Sequence, residues 1–143
     1  MASMCPYPYA ERMEQPPTLT AGLSAKVELT VTDADTAQAM GSGDVPVLGT
    51  PRVLALAEAA TVLATTGRLA NGTTTVGTRV ELEHTAATPV GTTVVATATL
   101  SKVDGRRLLF EIRVHADGRT VAEGRVERAL VNRQRFVSEA FAD

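Results

Sequence analysis

Thr50, Glu58 and His84 supply a hydroxyl, a carboxylate and an imidazole, the three parts that acyl transfer needs when no metal takes part. His84 stands in Glu83-His84-Thr85-Ala86-Ala87-Thr88-Pro89-Val90-Gly91, at the end of an apolar strand and just before a turn that feeds another strand. Two further residues stand out by position. Gly77 falls mid-strand, where a glycine weakens pairing and often marks close approach of a ligand or a backbone. Arg128 lies on the strand face of Ala122, Gly124, Val126 and Leu130, opposite Glu123, Arg125 and Glu127, and a guanidinium on an apolar face usually has a paired anion. Four of the five also have plain structural readings: Thr50 as a helix N-cap, His84 as a core-edge histidine bonded to backbone, Gly77 as a bulge, and Arg128 as a side chain snorkelling from an edge strand.

Glu58 takes its weight from the helix around it. Thr50-Pro51 opens that helix, with Thr as the cap and Pro at a first position that loses no needed N–H. The helix is predicted to run to about Thr66 and to stop near Gly67, with Asn71-Gly72 turning the chain. Between Val53 and Thr66 nearly every position is apolar or small, so the helix is expected to be buried all round. Glu58 is the carboxylate that interrupts it, and an unpaired buried carboxylate must find a partner or take up a proton. From Thr50 to Glu58 a regular helix rises about 12 Å, so the two side chains cannot meet within one subunit.

The remaining elements are strands. Lys26 to Asp33 alternates Val27, Leu29 and Val31 with polar residues. Gly41-Ser42-Gly43-Asp44 and Pro46 read as a loop with little local preference for order. After the helix, Thr74 to His84 is expected to carry Val76, Val80, Leu82 and His84 on one face. Gly91 to Lys102, Arg106 to Ala116 and Thr120 to Val131 follow, with Asp104-Gly105 and Asp117-Gly118 as two-residue hairpin turns. Pattern alone supports an α+β domain: a strand, a long helix, then four antiparallel strands in a meander.

Composition narrows the function. A chain of 143 residues suits one domain, and with 44% hydrophobic but only 3% aromatic residues and no Trp its core must be built of Val, Leu and Ala. A net charge of -2 offers no footprint for nucleic acid or an anionic membrane. Cys5 is the one cysteine, so neither an intrachain disulfide nor a cysteine-based zinc site is available, and His84 and His115 show no metal-ligand spacing. Residues 1 to 20, with Pro6, Pro8, Pro16 and Pro17, read as a flexible arm ahead of a domain spanning 21 to 143. The arm has no apolar signal-peptide core and no later run is long enough to span a membrane, so a cytoplasmic protein is expected.

His84-Thr85-Ala86-Ala87-Thr88-Pro89, Gly105-Arg106-Arg107-Leu108 and Glu127-Arg128-Ala129 closely resemble the fluoroacetyl-CoA thioesterase group of hot-dog-fold proteins, over roughly residues 25 to 132. The resemblance implies a single hot-dog domain, a long central helix wrapped by an antiparallel sheet. It also implies hydrolysis of a short acyl-CoA or acyl-carrier thioester, with no cofactor, at a site on the interface of a homodimer. Thr50, Glu58 and His84 match the family's catalytic positions, and Gly77 and Arg128 its substrate-binding ones. The chain departs from the family just before the helix. Where the fluoroacetyl-CoA enzyme has phenylalanines that form a lid, this chain has Gly41-Ser42-Gly43-Asp44. That loss leaves a non-catalytic acyl-CoA-binding protein as the alternative. Hydration of an enoyl thioester on the same fold ranks lower, because residues 68 to 84 contain no Asp.

Overall fold

The computed structural model describes residues 19–142. Most of the expected arm, including Cys5, lies outside the described residues. Strand β1 (Ser24–Thr30) leads through a 3-10 turn (Asp33–Asp35) and a short helix α1 (Ala37–Met40) to the long helix α2 (Thr50–Thr65). Strands β2 (Thr73–His84), β3 (Thr93–Asp104), β4 (Arg107–Ala116) and β5 (Arg119–Asn132) follow, and a terminal helix α3 (Arg133–Ala140) closes the order. Neither α1 nor α3 was expected; both are too short for their periodicity to stand out from a loop.

The five strands form one antiparallel sheet in the order β1-β3-β4-β5-β2. This is not a simple meander. Helix α2 carries the chain from one edge strand, β1, to the other, β2, and the β3-β4-β5 meander fills the space between them. Strand β5 is therefore interior, paired with β4 on one side and β2 on the other, and Arg128 does not snorkel from an edge. Both hairpins turn on two residues. Asp117 and Gly118 both adopt positive φ, as the expected turn requires, whereas Asp104 pairs with Arg107 and the first turn is Gly105-Arg106.

The core lies between α2 and the inner face of the sheet. Val53, Leu56, Ala57, Ala60 and Ala64 pack from the helix against Val94, Leu100, Leu108, Phe110, Val114 and Val126 from the strands, all buried. Full burial of a side chain such as Phe110 or Leu56 contributes about 1.5–3 kcal/mol, and the small helix residues let the sheet approach closely. The helix is not buried all round in the single chain. Pro51, Ala55 and Ala59 are exposed, and so are Val62 (47%) and Leu63 (49%). One helix cannot be covered on every side by one sheet, so a second apolar stripe is left on the outside.

Residues 31–49 are better ordered than their sequence suggests. Gly41 ends α1 at φ +75°, the left-handed conformation that glycine takes without cost, and the Ser42 amide donates to the Ala37 carbonyl at 3.0 Å. The Ala37 and Gln38 amides donate to the carbonyls of Val47 (2.8 Å) and Val45 (3.1 Å), pinning the far arm of the loop. Asp35 ties the segment to α2. Its carboxylate accepts from the Thr32 amide and hydroxyl, each at 2.8 Å, and from Arg52 Nε at 3.0 Å in the first turn of α2. Burial pushes the Asp35 carboxyl upward, but the Thr32 and Arg52 donors outweigh it and hold the group below its ordinary 3.8.

Candidate active site

Thr50 is not the helix cap. Gly49 takes that position, with extended backbone and no side-chain bond, and Thr50-Pro51 occupy the first helical positions. The shift of one residue frees the Thr50 hydroxyl, which forms a 2.8 Å hydrogen bond with His84 Nδ1 at the end of β2. Two elements distant in sequence thus meet at their ends. The amides of Arg52 and Val53 both donate back to the Gly49 carbonyl, and Pro51 has no N–H. This leaves the Thr50 amide as the first-turn donor without a partner among the described residues, at the positive end of the helix.

His84 is half-buried, and its Nε2 is closed off from solvent with no partner among the described residues. Burial is the larger influence on its ionisation and holds the imidazole below its ordinary 6.5, against an opposing contribution from the Ala86 backbone. A neutral ring whose Nδ1 accepts from a hydroxyl is the form that can take up a proton. A cleft of about 390 Å³ opens beside the pair, between the Ser42–Val45 loop and the Thr85–Ala87 segment. Among the described residues its lining includes no Phe, Tyr or Trp.

Glu58, Gly77 and Arg128 form a second cluster, midway along α2. The Arg128 guanidinium is buried (7% exposed) and donates from Nη1 to Glu58 Oε2 at 2.9 Å. Thr75 holds the rest of it, the hydroxyl accepting from Nε at 2.9 Å and the carbonyl from Nη2 at 3.1 Å. Gly77 pairs directly with Arg128 across the ladder. A Cβ at Gly77 would collide with Glu58 Oε2 and stand 3.3 Å from Arg128 Nη1, so the missing side chain is what admits the ion pair. The guanidinium is the buried member of the pair and Glu58 is a third exposed, so loss of Glu58, which strands a buried charge, is the costly change.

A β-bulge decides which β2 residues reach this cluster. The register of β2 on β5 slips between Gly77 and Arg79, with Thr78 unpaired. Val76 pairs with Ala129, on the outer face, instead of joining Val80, Leu82 and His84 on the inner one. Thr75 and Gly77 turn inward in its place. Unbroken alternation along β2 hides this, which is why Thr75 does not stand out in the sequence; Gly77, next to the slip, was the available signal.

The five residues identified from sequence therefore fall into two groups, Thr50 with His84 and Glu58 with Gly77 and Arg128. The regular helix between Thr50 and Thr65 keeps the groups apart. Among the described residues there is no group of His, Cys, Asp or Glu that could hold a metal ion.

This arrangement has close relatives. The sequence profile of the fluoroacetyl-CoA-specific thioesterase family matches residues 31–134, and the chain belongs to that family. It is 38% identical over 90 residues to the fluoroacetyl-CoA thioesterase of Streptantibioticus cattleyicolor, a match covering 63% of this chain and 65% of that protein. The chain thus spans just under two thirds of that relative's length. Among solved structures, a fluoroacetyl-CoA thioesterase superposes with a TM-score of 0.80 at 29% identity, over 85% of this chain and 95% of that one. A thioesterase superfamily member from Thermus thermophilus gives 0.78 at 25% identity, over 83% and 88%. A hot-dog-like protein from Thermanaerovibrio acidaminovorans gives 0.77 at 23% identity, over 86% and 93%, a likeness of fold alone. The α+β domain described above is a hot-dog fold.

The geometry around His84 makes its ionisation measurable. In an NMR pH titration the His84 imidazole should titrate with a midpoint below 6.5. A midpoint at or above that value would mean that the ring is not desolvated as its surroundings imply.

Proposed function

We propose that this protein hydrolyses the thioester of a short acyl-CoA, or of an acyl carrier, to the free acid and thiol. The observation that carries the reading is the 2.8 Å bond between the Thr50 hydroxyl and His84 Nδ1, set at a helix start with a free amide and beside an open cleft. In this mechanism Thr50 Oγ attacks the thioester carbonyl as His84 Nδ1 takes its proton. The C–S bond then breaks, and His84 returns the proton to the leaving thiolate. Water hydrolyses the acyl-Thr50 ester and regenerates the hydroxyl. The Thr50 amide and the Gly77 backbone are the donors proposed for the oxyanion, and Glu58 activates the hydrolytic water while Arg128 anchors Glu58 and the substrate side of the cluster.

The separation of the two clusters supports a homodimer with shared sites, in which Glu58, Gly77 and Arg128 of one subunit complete the Thr50–His84 half of the other. Two surfaces favour such an assembly: the exposed apolar stripe of α2, and β2, an edge strand with one side unpaired. No helix among the described residues is long and apolar enough to cross a membrane, and a cytoplasmic location fits the proposed substrate. The cleft, with no Phe, Tyr or Trp among the described residues of its lining, favours a second reading, acyl-CoA binding without catalysis.

Steady-state hydrolysis of a panel of short acyl-CoAs, followed by release of free thiol, separates the two. Turnover is expected in the wild type, with His84→Ala folding normally and losing about two or more decades, the usual scale for a general acid–base. Binding without turnover would favour the second reading. Light scattering at micromolar concentration should give at least twice the 15.0 kDa chain mass; a monomer would remove the shared-site mechanism.

The cleft also sets an expectation for selectivity. Ser42, Gly43, Asp44 and Val45 line it where a lid would close over the acyl group, and differential binding through one small substituent is worth only about 1–3 kcal/mol even in a well-formed pocket. After correction for intrinsic reactivity, kcat/KM for fluoroacetyl-CoA should exceed that for acetyl-CoA by less than about tenfold. A corrected preference of about a thousandfold would show that some other element reads the fluorine.

A further inference from the structure

Arg128 has its charge buried on the inner face of the sheet, and a guanidinium has to be held at each of its nitrogens to keep one orientation. Glu58 holds only Nη1. The other two contacts come from one residue, Thr75, whose hydroxyl takes Nε–H and whose carbonyl takes Nη2–H. These bonds lie on the side of the guanidinium away from Glu58, so they fix its plane and therefore the point at which Nη1 meets the carboxylate. Glu58 needs this support. It is a third exposed; Thr61, one turn on, donates its hydroxyl to the Glu58 backbone carbonyl instead of the carboxylate, and among the described residues Arg128 is the one side-chain donor to the carboxylate. Without a fixed guanidinium the carboxylate can swing through several rotamers toward solvent.

We propose that Thr75 is a positioning residue for the reaction: it locks Arg128, and through Arg128 it fixes the Glu58 carboxylate for its work on water. The role rests on the thioesterase reading given above. Thr75 needs no contact with the substrate to carry it. The bulge at Thr78 serves the same end, because the slip it introduces is what turns Thr75 inward with Gly77. The hydroxyl is the part of the clamp that sequence can change, since the carbonyl is common to all residues.

Thr75→Val keeps the shape of the side chain and removes the acceptor, while Thr75→Ser keeps the acceptor. Hydrolysis by Thr75→Val should fall about tenfold or more in kcat with little change in KM, since misplacement of a supporting group costs rate, and Thr75→Ser should stay within about threefold of wild type. In an Arg128→Gln background, Thr75→Val should cost nothing further in kcat, as expected if Thr75 acts through Arg128. The Arg128 Nε–H resonance provides a readout apart from activity. It should be resolved and slow to exchange in the wild type and in Thr75→Ser, and exchange-broadened in Thr75→Val; Thr75→Ala serves in its place if the valine variant does not fold. Rapid exchange of that proton in the wild type, or full activity in Thr75→Val, overturns the proposal while leaving the thioesterase reading intact. A wild type that hydrolyses no acyl-CoA overturns both, and the resonance then reports the clamp as structural only.

Discussion

The structure turns on a cation placed where cations are rarely found, the Arg128 guanidinium on the core side of an interior strand. Such a charge is tolerated only when paired and hydrogen-bonded, because desolvation without a partner costs more than the fold can spare. That requirement reaches outward in three directions. It calls for an acid on the one helix that faces the strand, which explains a glutamate in a run of Val, Leu and Ala. It calls for a residue without a side chain opposite the arginine, since any Cβ at Gly77 would strike the carboxylate. It also calls for acceptors on the remaining nitrogens, which the slip in β2 supplies by turning Thr75 inward.

The Thr50–His84 pair obeys a different constraint, that of helix geometry. Because Gly49 takes the cap, the Thr50 hydroxyl is not spent on its own backbone and is available to an imidazole 34 residues along the chain. Asp35 steadies this end by gripping Arg52 and, through its carbonyl, the Gly49 amide. The first turn of α2 is thereby joined to the loop that borders the cleft.

Within one chain the two clusters remain separate, and the stripe of Ala55, Ala59, Val62 and Leu63 remains in solvent. Both follow from one fact: a single sheet covers only one side of a helix. Under the proposed shared-site mechanism, catalysis and assembly would share a surface.

Much of the fold was legible in the sequence, because alternation in β1, β3, β4 and β5, the apolar run of α2 and the glycine-bearing turns are local signals with local causes. Three of the five candidate residues stand out for a related reason: a lone carboxylate in an apolar helix (Glu58), an arginine on an apolar face (Arg128) and a mid-strand glycine (Gly77) each break a local rule. What the sequence alone could not determine was relational. Strand order, and with it the interior place of β5, depends on which edges meet after the helix crosses the sheet. The meeting of the Thr50 hydroxyl with His84 depends on where the end of β2 comes to lie against the start of α2, which no local pattern reports. The inward turn of Thr75 depends on one unpaired residue, Thr78, that shifts the face of everything before it, and a period of two cannot reveal where it has slipped. Local propensity set the elements; the pairing of a buried charge and the register of two strands determined which side chains those elements bring together.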